Sequence, residues 1–269
     1  MKSMHPKPSL VVATCLAAIL IVTAMFGAER KHARVTEVIR DVRLLATQAA
    51  ARPAVVNEPV NEGTSVRTGS ESRAELTFAD QTITRLGANT VFSFSGAART
   101  YDLGSGAILM TAPRDAGTVK ISAGVASCAI SGFTGIWESH NKFWNKVLVL
   151  EGDGDVWLKK NPNDHRHMHS RQILVFPPNA NVLPQPQEFD VCKVISNGLL
   201  ITGFSQQLPS FPQLTAECDA QRSAPITTKL VDPTSHDITD QSISARPNET
   251  PPPPARPTPD GELMKQRPH

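Results

Sequence analysis

Aromatic side chains are scarce in this 269-residue sequence: ten Phe, three Trp and one Tyr make up 5% of it. So few flat rings are poor material for base-stacking platforms or an aromatic-lined cofactor pocket. A charge excess is missing too. Lys and Arg total 27 against 25 Asp and Glu, and the surplus pair, Lys2 and Lys7, lies in the first 28 residues. The remainder is balanced, which speaks against a nucleic-acid partner. Helical periods are nearly absent from the middle of the chain, and 22 prolines interrupt the whole, so a long-helix protein is excluded. No Gly-x-Ser-x-Gly, His-Glu-x-x-His, P-loop or Gly-x-Gly-x-x-Gly occurs. Without them no catalytic residue and no cofactor is assigned, and the chain is not expected to be an enzyme. What the sequence does hold is enough apolar material, 40%, for a real core.

Lys2 and Lys7 precede nineteen uncharged residues, Leu10 to Ala28, the basic-then-apolar order of an exported chain. The run is longer than the apolar part of most cleaved signals, roughly 7–15 residues, and reaches the ~20 that span a bilayer as a helix. A cleaved signal and a retained anchor both remain open. Val22-Thr23-Ala24 gives small residues at −3 and −1, so cleavage after Ala24 is the better candidate. Arg30, Lys31 and Arg34 just beyond the segment leave the orientation ambiguous by charge alone.

From about Val35 to Phe176 short β-prone runs are broken by Gly, Asn, Asp or Pro every 8–12 residues or so, the punctuation of an all-β sandwich or roll. Arg73–Phe78, Thr82–Leu86, Thr118–Ser122 and Lys146–Leu150 each alternate polar and apolar, so each can bury one face of a sheet. Ala79-Asp80-Gln81 and Glu151-Gly152-Asp153-Gly154-Asp155 are expected as hairpin connections. Val35, Val38, Ile39, Val42, Leu45 and Ala49 form a helical stripe, which taken alone predicts a helix over Val35–Ala50. A short helix is expected near Asp190–Ile195. The polar stretch after Cys218 ends in Pro247–His269 with 8 of the prolines, predicting a solvated, polyproline-like, disordered tail.

Several motifs in order resemble the FecR domain family. They are Gly63-Thr64-Ser65-Val66-Arg67-Thr68-Gly69, Ser72–Thr82, Arg85–Thr90, Leu103–Leu109, Ala126–Gly135 and the closing Val149-Leu150-Glu151-Gly152. The likeness covers about residues 35–160. It implies a FecR-like sandwich or roll of short antiparallel strands outside the cytoplasm, turns Val35–Leu45 into two strands meeting at Arg40-Asp41, and makes any retained anchor N-in. Arg171–Val175 and Phe189–Pro209 are similar to the C-terminal extension of exported FecR-domain proteins that lack a sigma-factor partner. The family's usual Gly-Thr pair is replaced here by Ile130-Ser131-Gly132-Phe133-Thr134-Gly135, so no role is carried onto that turn. Only about nine residues precede Leu10, so no sigma-factor partner is expected.

The organisation expected is thus a signal peptide or anchor at 1–28, a FecR-like β domain at 33–160, an extension with a short helix at 161–218, and a proline-rich tail at 219–269. The leading functional reading is a non-catalytic binding or scaffold module of the bacterial cell envelope, in the periplasm or anchored facing it. Its partner is an envelope protein or cell-wall component, and its binding residues are unassigned.

Three patterns carry possible chemistry. His165, His167 and His169 would share one strand face about 6.5–7 Å apart; they are the ligands of the alternative reading, an envelope metal-binding protein. The spacing is too wide for one ion without a bend, so a solvated hairpin edge is favoured and no metal site is assigned. Glu151, Asp153 and Asp155 have the carboxylate rhythm of a Ca²⁺ loop but lack its closing bidentate Glu, and a hairpin turn is favoured. Trp137, Trp144 and Trp157, with Phe143 and Tyr101, would stack on a sugar if they shared a face; core positions are favoured. Of Cys128, Cys192 and Cys218, the pair Cys192–Cys218 is the expected disulfide, closing a loop of about 27 residues for roughly 3–4 kcal/mol, and Cys128 is expected to be buried.

Overall fold

The computed structural model describes residues 32–96, 99–140, 142–224 and 230–234. The apolar segment 10–28, with the helix expected there, and Pro247–His269 lie outside the described residues. Among the described residues no helix is long and apolar enough to cross a membrane.

Fifteen strands join in one hydrogen-bonded sheet that folds over itself. In chain order they are β1 (His32–Ile39), β2 (Val42–Leu45), β3 (Arg52–Pro53), β4 (Pro59–Asn61), β5 (Ser65–Thr68), β6 (Arg73–Phe78), β7 (Ile83–Leu86) and β8 (Val91–Ser95). There follow β9 (Thr100–Ala112), β10 (Val119–Ala123), β11 (Ala126–His140), β12 (Trp144–Leu158), β13 (Asn161–Met168), β14 (Gln172–Phe176) and β15 (Gln187–Glu188). The all-β class is that expected, and so is the Asp80-Gln81 turn, where the Gln81 N–H donates to Phe78 O and φ of Gln81 is 63°.

The helical stripe at Val35–Ala50 is overridden. Arg40 takes φ 61° and the chain reverses there, so Val35 serves β1 and Val42 and Leu44 serve β2. β1 lies between β4 and β6, which claim its backbone groups on both edges. A pattern that suits a helix also suits two strands when neighbours satisfy the amides.

The strands are not uniformly short. β9 has 13 residues and β11 and β12 have 15 each, and each changes partners along its length. The first part of β9 pairs with β8 and, in parallel, with β10; its second part pairs with β7 and β11. Long strands that pass from one layer to the next close the roll without extra turns.

The main core lies between the layers and includes Val35, Leu76, Phe92, Leu103, Trp137, Val147 and Val156. A second core covers the outer face of the sheet. There Leu109, Ile136, Leu148, Leu150 and Ile173 pack under α1 (Val191–Asn197), α2 (Leu199–Thr202) and α3 (Phe211–Ser223), through Val194, Ile201 and Leu214. Asp190 caps α1 by accepting from the Lys193 N–H.

Two expected boundaries therefore move. The sheet does not stop at residue 160, because β13 and β14 both pair with β12. Nor is residue 218 an end: α3 runs on to Ser223, and buried Val231 bridges to Phe189. The apolar side chains of this cap are needed to cover the sheet's second face, so cap and sheet share one core.

Candidate functional site

Glu151–Asp155, expected as a hairpin turn, instead lies inside β12. The ladder to β11 slips twice beside it: β11 holds the extra residue between Ser131 and Thr134, and β12 holds it between Glu151 and Val149. Gly152 takes φ 88°, and a Cβ there would sit 2.6 Å from the Gly132 carbonyl oxygen. Gly154 points inward, where any side chain would collide with Ile130. With glycines on the inner face, Asp153 and Asp155 are forced outward, and both are exposed. This arrangement is neither a hairpin turn nor a Ca²⁺ loop.

β13 runs antiparallel beside this stretch with Asp155 opposite His167 and Trp157 opposite His165. Alternation puts Asp153, Asp155 and Trp157 on the face that carries His165 and His167. His167 Nδ1 lies 2.9 Å from Asp155 Oδ1, and His169 Nδ1 lies 2.7 Å from Asp153 Oδ1. An ionised carboxylate only accepts, so each Nδ1 is the donor in these contacts. The His167 and His169 ring centroids are 4.7 Å apart, closer than the expected strand spacing, with each ring turned onto an aspartate of β12.

One ligand atom from each of Asp153, His167 and His169 lies within 4.8 Å of the others. His165 is not part of this group; its Nδ1 faces the Asn163 carbonyl oxygen at 3.3 Å. The three-histidine set is thus rearranged: two histidines meet a carboxylate from the neighbouring strand, and the third stands opposite a tryptophan. The 153/155 and 167/169 spacings would have paired across the 158–161 connection, had Gly152 and Gly154 not looked like a turn.

The edge of the group is less polar. Glu151 is half-buried, and burial pushes its carboxyl above the ordinary value, against the opposing pull of Arg114 and the Thr134 hydroxyl. The aromatic set forms no shared platform: Trp137 and Tyr101 are buried, Phe143 is 73% exposed, and Trp144 packs on His140 at 4.1 Å.

Cys192 and Cys218 are joined by a disulfide with 4.9 Å between Cα atoms, tying α1 to α3. Cys128 is free and buried. Burial pushes its thiol up to about 12, although Trp137 Nε1 donates to the sulfur at 2.8 Å.

The charged groups inside the fold are structural. Among the described residues the buried ones are Glu75, Arg85 and Lys146. Arg85 pairs with Glu75 at 2.8 Å, donates to the carbonyls of Ile201 and Gln206, and lies over the Phe204 ring at 4.4 Å. Lys146 donates to the Pro233 carbonyl at 3.0 Å and faces Glu138 at 3.5 Å. A hollow of about 20 Å³, room for a water, is lined by Phe78, Asp80, Arg99 and Tyr101.

The strip of Asp153, Asp155, His167 and His169 lies on an exposed stretch of an all-β sheet whose outer face is covered elsewhere by the helical cap. Residues 64–153 match the family model described as FecR protein. Two crystal structures, at 1.65 and 2.50 Å resolution, of a protein from Parabacteroides distasonis described as a candidate anti-sigma factor are similar to it. They share 14% identity, with TM-scores of 0.44 and 0.45, over 49% and 51% of this chain and 63% and 64% of theirs. The chain thus spans less than two thirds of the length of that protein. No curated protein matches the sequence.

Proposed function

We propose that this chain is an exported, non-catalytic FecR-like module of the bacterial cell envelope. It acts in the periplasm or anchored facing it, and it binds an envelope protein or cell-wall component through strand edges and loops. The observation that carries this reading is that every buried charged side chain among the described residues is bonded within the fold. Recognition is left to the surface, where β4 ends the path of the sheet and offers an edge for strand addition, whereas the β15 edge is taken by Val231, whose N–H donates to the Glu188 carbonyl at 2.8 Å. Export is supported by the Lys2, Lys7 and Leu10–Ala28 pattern and by the disulfide, a bond of oxidising compartments. In this reading residues 1–28 deliver the chain, the β body and its helical cap bind, and the proline-rich end is a tether or spacer.

The test is photo-crosslinking in living cells, with the reactive group placed at exposed Val55 beside β4 and at Phe143 on the β11–β12 connection. The expected result is a discrete, position-dependent adduct in the envelope fraction. N-terminal sequencing of the same material reports whether residues 1–24 are removed. An adduct with a sigma factor overturns the reading, as does turnover in an activity screen that is lost on substituting Asp153 or Asp155.

A further inference from the structure

We propose that Asp153, His167 and His169 form a binding site for one divalent first-row transition ion, zinc(II) above all, with Asp155 supporting His167 from behind. Two imidazoles and a carboxylate are the donor set that borderline ions prefer over Ca²⁺ or Mg²⁺, which favour oxygen alone. The ligand atoms already lie within 4.8 Å of one another. Around a tetrahedral ion with bonds of about 2.0–2.1 Å, ligands stand roughly 3.3 Å apart. Closing that difference takes rotation of three exposed side chains, in which Asp153 gives up its 2.7 Å contact with His169 Nδ1 to reach the ion.

The backbone beneath is fixed. β12 is held between β11 and β13, Gly152 and Gly154 pack closely on β11 while alternation turns both aspartates outward, and the His169 N–H donates to Gln172 Oε1 at 2.9 Å. The Asp155–His167 contact of 2.9 Å repeats the carboxylate–histidine arrangement that orients a metal-bound ring and leaves Nε2 for the ion. An open fourth position faces solvent, where water or a donor from a partner would complete the shell. A solvated edge explains the polarity of β13, and register alone sets the pairs Asp155–His167 and Trp157–His165; what the ion adds is a use for two imidazoles and a carboxylate gathered within 4.8 Å. The proposal is independent of the partner-binding reading, and either can fail alone.

The test is zinc sulfate titration of the full chain, purified without a histidine tag, by calorimetry, with imidazole resonances followed by NMR. One ion per chain is expected, with a dissociation constant on the order of 10 µM for a three-ligand exposed site. His167→Ala, His169→Ala and Asp153→Ala each abolish saturable binding, His165→Ala leaves it intact, and Asp155→Ala weakens it roughly 10- to 100-fold. Unchanged circular dichroism of these surface variants shows that the fold is retained. The proposal is overturned if zinc binds equally well to the His167→Ala and His169→Ala proteins, if His165→Ala abolishes binding, or if no saturable binding appears below roughly 1 mM.

Discussion

Arg85 and Glu75 stand opposite one another on β7 and β6, with 2.8 Å between Nε and Oε2 and both side chains out of water. The same guanidinium reaches the carbonyls of the C-terminal cap, so a single residue links sheet, ion pair and helices.

Removing it should be severe. Arg85→Ala leaves a buried carboxylate, with only the Thr36 hydroxyl bonded to its other oxygen, and frees the cap carbonyls. A loss of about 3–5 kcal/mol is expected for breaking one side of a buried pair. Urea denaturation measures it, and a loss below about 1 kcal/mol would place the pair among ordinary surface contacts.

The disulfide makes a second, regional prediction. Replacing Cys192 and Cys218 by Ser should cost about 2–4 kcal/mol. Hydrogen exchange should accelerate first in α1 and α3, while amides of β11 and β12 keep their protection.

Cys128 should behave as a hydrophobic residue. With its thiol held at about 12 by burial, a disulfide-exchange reagent at pH 8 should not label it in the native protein and should label it fully in denaturant. Trp137→Phe removes the hydrogen bond to sulfur but not the burial, so the native thiol should remain inert unless the core opens.

Glu151 gives a pH dependence. Its folded-state pKa lies above the ordinary value because burial disfavours the charge. The folded protein therefore binds this proton more tightly than the unfolded chain, a contribution present at acid pH and lost as pH rises through the carboxylate range. Glu151→Gln should raise the melting temperature at pH 7, and the gain should vanish below about pH 4. A variant less stable than the parent at pH 7 would show that the Arg114 and Thr134 contacts outweigh burial.

Particular residues show what a one-dimensional reading sees. Alternation at Arg73–Phe78 and the Asp80-Gln81 turn are local, and both appear as expected. The reversal at Arg40-Asp41 was visible only through the family likeness, since the apolar stripe by itself fits a helix. Glu151–Asp155 misleads because Gly and Asp mark turns when considered alone. Here the glycines make room for Ile130 and Phe133, contacts known only once β11 lies alongside. The same misreading hid the candidate ion site, whose aspartates and histidines meet by strand register. α3 escaped notice because only Leu214 and Cys218 of its residues are buried, too few to draw a stripe. The cap's attachment through Arg85 spans more than 100 positions, a distance at which no local pattern carries information.

The central proposal is that this chain works outside the cytosol, and thiol trapping in intact cells tests it most directly. Cells are quenched in acid, alkylated under denaturing conditions without reductant, and the chain is mapped by mass spectrometry. The account predicts Cys128 alkylated, with Cys192 and Cys218 unlabelled and recovered as one linked peptide pair. Full alkylation of Cys192 and Cys218 in the native material would contradict it.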